Sequence, residues 1–225
     1  MSKISSLNYP KKSHRKLVLL PKKSVLLAEF FGIMMGDGGI NNPWQSNISL
    51  NAIKDRNYAD YIIKNCQNLF GITPSLRKRK TSQTIIISLS SMTIVDFLVS
   101  NGLLRGNKLK NGLVIPEWIL SKKSYRIACV RGLMDTDGSL FVHNHIVSGK
   151  KYTNLGLCFS NSSLDLIEQV ADIFKENKIK PHIEGWGKKI YLYKIDDIIR
   201  YLKIFGTSNI RISSVYGNWK IARVV

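Results

Sequence analysis

Two aspartates, Asp37 and Asp137, stand one hundred positions apart, and each is followed by a glycine. Carboxylates are ligands of Mg²⁺, which binds to one or two of them when phosphate oxygens and water complete its coordination. Two carboxylates that share a site repel each other, and a divalent cation relieves that repulsion. A metal held there can activate water and stabilise the leaving oxygen of a phosphodiester. The pair therefore predicts a divalent-metal site, with ordinary Asp-Gly turns as the alternative.

The residues before each aspartate are also repeated. A Lys-Lys-Ser tripeptide opens each copy, and small residues recur at every fourth position after it. These residues are Ser24, Ala28, Gly32 and Gly36 in the first copy, and Ser124, Ala128, Gly132 and Thr136 in the second. Serine caps helix N-termini, and residues four apart share one helix face. The repeat predicts two helices that begin at the serines and pack closely through their small faces, and we expect Gly38 and Gly138 to end them in left-handed backbone.

The segments that follow the two copies have a similar order of predicted elements, with one more strand in the second half. In the first half these are a strand around residues 48–50, a helix over 55–70, a strand over 84–90 and a helix over 94–99. In the second half they are strands over 140–146 and 155–160, a helix over 163–177, a strand over 189–194 and a helix over 196–204. Helices mixed with antiparallel strands predict an α+β fold. We therefore divide the chain into a basic arm (1–23), a first half-domain (24–121) and a second half-domain (122–225), related by a pseudo-twofold axis.

The charge of the chain indicates a polyanionic partner. Lys and Arg number 34 against 15 acidic residues, which gives a net charge of +19, and nucleic acid is the expected partner. The segment 1–23 has basic residues and no acid. It is either a phosphate-binding arm or a solvated tail. We expect no membrane partner, because no apolar run approaches the roughly 20 residues needed to span a bilayer. Three cysteines without a paired motif, and no secretory leader, predict an intracellular protein.

The two copies of the repeat resemble the two motifs of a LAGLIDADG homing endonuclease. The similarity lies in residues 30–38 and 130–138, and the first copy departs from the motif at Phe30-Phe31 and at Met35. This resemblance implies a monomer with two αββαββα half-domains, which form a saddle of antiparallel sheets on double-stranded DNA. It also implies that the enzyme cuts both strands. The metals, Mg²⁺ by default with Mn²⁺ or Ca²⁺ able to occupy the same sites, would be held by Asp37 with the Gly36 carbonyl and by Asp137 with the Thr136 carbonyl.

The resemblance further implies a basic residue near each scissile phosphate. In the first half this residue is Lys108, or alternatively Lys110, and an ordinary surface lysine is the competing interpretation. The corresponding stretch of the second half has no lysine, and Arg211 is its nearest cation. Asn51 and Asn161 either order water in the site or form ordinary turns.

Further DNA contacts are expected on the hairpins and on the exposed faces of the strands. Charges on a protruding turn suit phosphate contact, and polar side chains on a strand suit the reading of base edges. The predicted phosphate contacts are Arg77, Lys78, Arg79, Lys80, Lys188 and Lys189, with Arg211 as a further DNA contact. The predicted base contacts are Gln45, Asn47, Ser49, Ser88, His143 and His145.

Two other functions remain open at this stage. The same scaffold could serve as a maturase that binds intron RNA, or as a DNA-binding protein that has lost cleavage. Retention of both motif aspartates argues against the loss of cleavage. A free-standing, intron-encoded endonuclease is the expected form, rather than an intein. Asp135 has no acidic counterpart, because Met35 occupies the matching position, and we expect it to be structural.

Overall fold

The computed structural model describes residues 17–221, together with all side chains in this range except those of residues 145, 147 and 151. Residues 1–16 of the predicted basic arm lie outside the described residues. The part that is described begins on the protein surface, where the Leu19 amide donates to the Phe70 carbonyl at 2.9 Å and Val18 packs partly buried against the core.

Each half contains the same seven elements in the same order. The first half comprises α1 (Val25–Gly36), β1 (Gly38–Asn42), β2 (Gln45–Asn51), α2 (Arg56–Phe70), β3 (Ser75–Lys78), β4 (Thr84–Ser90) and α3 (Met92–Ser100). A short helix, α4 (Glu117–Leu120), leads into the second half. The second half comprises α5 (Lys123–Asp137), β5 (Gly138–Val147), β6 (Lys150–Ser160), α6 (Leu164–Glu176), β7 (His182–Ile183), β8 (Lys189–Leu192) and α7 (Ile195–Ile204), followed by α8 (Ile210–Ile221).

The two antiparallel sheets have matching topologies. Their strand orders are β1-β2-β4-β3 and β5-β6-β8-β7, so the same hairpins occupy the same places in each half. Apolar residues of every second position face the helices, as Ile48 and Leu50 do in β2 and Ile190 and Leu192 do in β8. The predicted α+β class with two pseudo-symmetric αββαββα half-domains is confirmed.

Helices α1 and α5 pack against each other with their backbones in contact. A Cβ atom added to Gly32 would lie 2.1 Å from the Cys129 carbonyl oxygen, and one added to Gly132 would lie 2.3 Å from that of Glu29. Side chains on the other faces, such as Phe30 and Phe31, are fully buried in the half-domain cores. The predicted close packing through small residues is therefore confirmed.

The ends of these two helices differ in part from the sequence prediction. Ser24 caps α1 by accepting from the Leu27 amide at 3.2 Å, as predicted. Ser124, however, lies inside α5, because the Lys122 carbonyl already accepts from the Tyr125 and Arg126 amides at 3.0 Å, and the helix begins at Lys123.

The prediction of left-handed glycines after the two aspartates was also wrong. Gly38 and Gly138 each begin a strand, and Gly138 has an extended backbone with φ −95° and ψ 160°. A Cβ atom on Gly38 would lie 2.5 Å from Met34 Cα, and one on Gly138 would lie 2.3 Å from the Met134 carbonyl oxygen. Glycine is needed because the chain passes close to the last helical turn.

The three cysteines, Cys66, Cys129 and Cys158, are free and buried. Burial raises the pKa of the Cys66 thiol to about 12, so the neutral thiol is the stable form. Between residues 17 and 221, no helix combines the length and the apolar character needed to cross a bilayer.

Candidate metal and nucleic-acid site

The two motif aspartates meet where α1 and α5 end. Asp37 directly follows the last residue of α1, and Asp137 is the last residue of α5. A Cβ atom added to Gly36 would lie 3.5 Å from Cγ of Asp137, so the Asp137 carboxyl group is beside the end of the partner helix. The close packing of the small residues thus brings both carboxyl groups to one place.

Burial disfavours the ionised form of both motif carboxyl groups. Burial raises the pKa of Asp37 to about 7, and repulsion from Asp137 and Asp55 contributes, while Lys108 and Arg211 act in the opposite direction. Burial also raises the pKa of Asp137, although a hydrogen bond from Asn161 and the charge of Lys108 oppose this. A divalent cation between these groups would favour the ionised form of both.

Lys108 lies in this site. Its ammonium group donates to the carbonyl oxygens of Met35 at 2.6 Å and Gly38 at 2.9 Å, and to that of Gly36. A cation at the C-terminus of a helix interacts favourably with the free carbonyl groups there. Burial lowers the pKa of Lys108, whereas the charges of Asp137 and Asp37 raise it. The alternative residue, Lys110, is exposed in a turn, where its amide donates to the Asn107 side chain.

Arg211 occupies the equivalent position in the second half. Its guanidinium group donates to the carbonyl oxygens of Gly138 at 3.2 Å and Asp135 at 3.3 Å, which are the counterparts of Gly38 and Met35. Unlike Lys108, it also forms an ion pair with Asp55 at 3.2 Å. Sequence analysis identified Arg211 as the nearest cation of the second half and as a DNA contact, but not its placement against the end of α5.

The two asparagines differ in what they contact. The Asn161 amide donates to Asp137 Oδ2 at 2.8 Å, and its oxygen accepts from the Ser163 amide. Asn161 therefore orients a motif carboxylate directly as well as forming a turn. The Asn51 oxygen accepts from the amides of Ile53 and Lys54, each at 2.9 Å, so it forms the turn before α2.

A second polar cluster lies deeper along the helix pair, and sequence analysis did not find it. Glu29, which is 1% exposed, accepts from Arg131 at 2.5 Å, from the Tyr61 hydroxyl at 2.7 Å and from the Ser208 hydroxyl at 2.8 Å. Asp135 accepts from the Ser208 amide at 2.8 Å and from the Thr207 hydroxyl, and burial raises its pKa to about 7. This cluster fixes the loop between α7 and α8 to both central helices, and Arg211 lies at the start of α8, directly after that loop. Both acids lie in the predicted central helices among apolar residues, and this is the sequence feature that could have indicated them.

The predicted base contacts of the first half share the outer face of their sheet. Gln45, Asn47 and Ser49 alternate with buried residues along β2. Ser88 is opposite Asn47 in β4, and its hydroxyl donates to the Asn47 side chain at 2.7 Å. Arg77 lies on the same face, whereas Lys78, Arg79 and Lys80 are exposed at the end of β3 and in the turn that follows.

The corresponding residues of the second half lie on the outer face and hairpin of the second sheet. His143 is exposed on β5, and His145 follows on the same strand, although its side chain lies outside the described part of the structure. Lys188 is exposed in the turn between β7 and β8, and Lys189 begins β8, where it pairs with Glu184 at 3.7 Å. The β3–β4 and β7–β8 hairpins are equivalent in topology.

A cleft of about 360 Å³ joins the carboxylate site to the first sheet. Asp37 and Lys108 line one part of it, and Asn47 and Ser49 line another. A ligand that contacts the outer face of the sheet can therefore reach the ends of the central helices.

The side chains and carbonyl groups where α1 and α5 end suit a hard cation that takes most of its ligands from water and substrate. Within residues 17–221 no group of three or more His, Cys, Asp or Glu side chains has the arrangement of a metal site. The available ligands are the two carboxylates and the carbonyl oxygens of Gly36 and Thr136. Mg²⁺ commonly binds in this way, with water and phosphate oxygens completing the shell. The Gly36 oxygen already accepts from Lys108, and its second lone pair remains for a metal.

The fold and site define a class of duplicated α+β proteins in which two helix-terminal aspartates meet between two antiparallel sheets. Comparison with protein families identifies a LAGLIDADG-like domain over residues 124–213 and a WhiA LAGLIDADG-like domain over residues 27–107. The chain therefore belongs to the LAGLIDADG family and carries one such domain in each half.

Solved structures of LAGLIDADG endonucleases have the same fold. I-LtrWI bound to its target DNA is 12% identical, with 88% of this chain and 89% of that chain covered and a TM-score of 0.60. I-SmaMI, bound to uncleaved DNA with calcium ions, is 13% identical, with 90% and 92% covered and a TM-score of 0.60. I-DmoI in complex with DNA and calcium is 16% identical, with 82% and 91% covered and a TM-score of 0.54, and a variant of it was solved with manganese. No curated protein sequence matches the chain.

Proposed function

We propose that this protein is a metal-dependent endonuclease that acts as a monomer inside the cell and hydrolyses both strands of a long double-stranded DNA site. The observation that carries the proposal is the meeting of Asp37 and Asp137, both partly buried, at the ends of two helices in backbone contact. The net charge of +19 supports a polyanionic substrate. The endonucleases with the same fold were solved on DNA, which supports this class of substrate.

The residues of the site have separate roles in this proposal. Asp37 and Asp137, with the carbonyl oxygens of Gly36 and Thr136, would hold Mg²⁺, which supplies an activated water and stabilises the leaving oxygen. Asn161 fixes the orientation of Asp137. The cations Lys108 and Arg211 offset negative charge near the two scissile phosphates, one in each half. Structures with the same fold were solved in the presence of Ca²⁺ or Mn²⁺, which supports the use of a divalent cation.

The sheets would hold the duplex so that it reaches this site. Polar residues on the outer face of β2 and β4 are suited to contact base edges, and the basic hairpins are suited to contact phosphates. The cleft that joins this face to Asp37 gives the substrate a continuous path. Most of the affinity is expected to come from phosphate neutralisation, so binding should weaken steeply as salt is raised.

The proposal is tested by cleavage selection on a randomised duplex library in Mg²⁺, followed by assays on the selected site. Replacing Asp37 or Asp137 with asparagine removes a charged metal ligand and should abolish double-strand cleavage, while binding to the site in Ca²⁺ persists. Asp165→Asn is the matched control, because this exposed aspartate lies at the start of α6, away from the helix pair. A fully active Asp137→Asn enzyme would refute the assignment.

The same assay separates the two alternative functions. A cleavage-deficient DNA-binding protein would yield a selected duplex site that is bound but left intact in Mg²⁺ and Mn²⁺. A maturase would bind structured intron RNA in preference to any duplex from the library. Either result would replace the endonuclease assignment.

A further inference from the structure

The outer faces of the two sheets differ in chemistry even though their topologies match. In the first sheet the outer face is polar, with Gln45, Asn47 and Ser49 on β2. Ile86 lies on the same face but is only 6% exposed. In the second sheet, several outward positions of β5, β7 and β8 carry aromatic residues, namely Phe141, His182 and Tyr191, with Tyr193 directly after β8. Polar residues such as Ser139 and Lys189 share this face.

Pairing across the strands places these rings together. Phe141 is opposite Gly156 on β6, and a Cβ atom added to Gly156 would lie 2.5 Å from the Phe141 ring, so the ring lies over that strand. Tyr191 is opposite Cys158, two residues further along β6 on the same face. Any larger residue at position 156 would displace the phenylalanine ring.

The tyrosines extend this group toward the edge of the sheet. The rings of Tyr191 and Tyr193 are stacked, with centroids 5.3 Å apart and an angle of 8° between planes. His182 on the edge strand lies 6.0 Å from Tyr193, which is 60% exposed. The result is an aromatic surface, formed by Phe141, His182, Tyr191 and Tyr193, on the face that corresponds to the polar face of the first sheet.

We propose that this aromatic surface reads thymine methyl groups in the DNA half-site bound by the second half-domain, whereas the first half-domain reads its half-site through hydrogen bonds. This inference rests on the proposed function. The C5 methyl group of thymine is the apolar feature of the major groove, and a β-ribbon fits that groove. Aromatic rings bury apolar area while remaining rigid, so they discriminate methyl groups without needing a donor or acceptor.

Continuity with the carboxylate site favours duplex DNA as the occupant. Strand β5 begins at Gly138, directly after Asp137, so a duplex at the paired aspartates passes along this sheet. Lys189 lies on the same face as Tyr191, two residues before it, and can pair with a backbone phosphate while the rings contact bases. Stacking on unpaired bases would also use aromatic rings, and the experiment below distinguishes it.

The test uses the duplex site obtained by selection with the full chain, with binding measured in Ca²⁺. Thymines are replaced by deoxyuridine in one half-site at a time, which removes only the methyl groups. In the half-site of the second half-domain, affinity should fall about fourfold for each contacted methyl, equivalent to about 0.8 kcal/mol. The same replacement in the other half-site should have little effect.

Three variants assign the effect to the aromatic surface. Tyr193→Ser removes an exposed ring and should reduce the sensitivity to deoxyuridine, while Tyr191→Phe retains the ring and should preserve it. Asn47→Ser, on the polar face of the first sheet, should change base preference only in the half-site that is insensitive to deoxyuridine. Thermal unfolding of each variant separates loss of contact from loss of fold.

Several results would overturn the inference. Equal affinity for thymine and deoxyuridine in both half-sites would do so, as would a deoxyuridine effect in the half-site whose preference follows Asn47. Tighter binding to the single strand than to the duplex would indicate stacking on unpaired bases instead. Absence of any duplex binding by the unmodified chain would remove the proposed function itself, and that outcome is distinct from duplex binding without thymine dependence.

Discussion

Replacing Gly32 with alanine tests whether backbone contact between α1 and α5 sets the geometry of the paired aspartates. The added Cβ atom would lie 2.1 Å from the Cys129 carbonyl oxygen, about 1.3 Å short of the 3.4 Å at which ordinary contact begins. The obstructing atom belongs to the backbone, so no side chain can rotate away. The two helices must therefore separate or shift.

The expected loss of stability follows from two opposing terms. Overpacking of a core typically costs 1–3 kcal/mol, and this contact should fall near ~3 kcal/mol because both partners are backbone. Alanine recovers about 1 kcal/mol of intrinsic helix propensity relative to glycine. The free energy of unfolding should thus fall by about 2 kcal/mol, which lowers the melting temperature by about 4–8 °C in a chain of this size.

The effect on activity should exceed the effect on stability. A helix shift of about 1 Å moves Asp37 relative to Asp137, and misplacement of that size can reduce a rate about a hundredfold. The assay is single-turnover cleavage of the selected site in Mg²⁺ at a temperature where the variant is fully folded. Binding to the same site in Ca²⁺ should change far less, because the sheets are not at the helix contact.

Gly217→Ala is the matched control for this experiment. Gly217 is also helical, in α8, but a Cβ atom added there meets nothing within 4 Å. Alanine at this position should therefore stabilise the protein by up to about 1 kcal/mol and leave cleavage unchanged. If Gly32→Ala were as stable and as active as the unmodified protein, close helix packing would not govern the site.

Three further predictions follow from the charged groups. Without metal, in EDTA, the Asp37 carboxyl group keeps its proton in the folded protein up to a pKa of about 7, whereas in the unfolded chain it loses the proton near its ordinary pKa of 3.8. The free energy of unfolding in urea should therefore fall as pH rises from about 4 to about 7. The fall should be smaller in Asp37→Asn. Glu29→Gln leaves the partly buried charge of Arg131 without its buried partner and should lower the free energy of unfolding in urea by about 3 kcal/mol. Asp96→Asn breaks an exposed ion pair of similar length and should lower it by less than about 1 kcal/mol. Lys108→Met should slow cleavage of one strand and accumulate nicked plasmid; equal slowing of both strands on end-labelled DNA would contradict a separate cation for each half.

The paired helices were predictable because the relevant information is local. Small residues at every fourth position define one face of a helix independently of the rest of the chain. Their repeat after one hundred residues identified the second helix that packs against this face. The positions of Asp37 and Asp137 followed from that face. The prediction that Ser124 caps the second helix was wrong, because a capping serine must be preceded by residues outside the helix. Here α4 ends at Leu120 and α5 already begins at Lys123.

The weak strands could not be read from the sequence in the same way. β1 has the sequence Gly-Gly-Ile-Asn-Asn, whose residues mostly disfavour strands, and it forms through its pairing with β2. The Ile40 carbonyl also accepts from the Gly106 amide at 2.8 Å, so a distant loop contributes to its position. β7 is only two residues long and depends on β8 in the same manner.

The placement of Arg211 and the buried cluster could not be predicted from the sequence for a related reason. Arg211 reaches the end of α5 because Asp55, on the other half-domain, holds its guanidinium group, and Asn209 donates to the same carboxylate at 2.9 Å. Likewise Glu29 meets Arg131 only because the two central helices cross at their glycines. Contacts between residues far apart in sequence depend on the completed fold, so they could not be predicted from this sequence alone.

The two halves have diverged where the fold permits it. The contact between α1 and α5 tolerates almost no change, since any side chain at Gly32 or Gly132 meets backbone of the opposite helix. The outer faces of the sheets make no contribution to either core, so polar residues on one and aromatic residues on the other cost the fold little. Under the proposed function, this divergence would suit the protein to an asymmetric DNA site, because the helix pair keeps the two carboxylates together while each sheet would read its own half of the sequence.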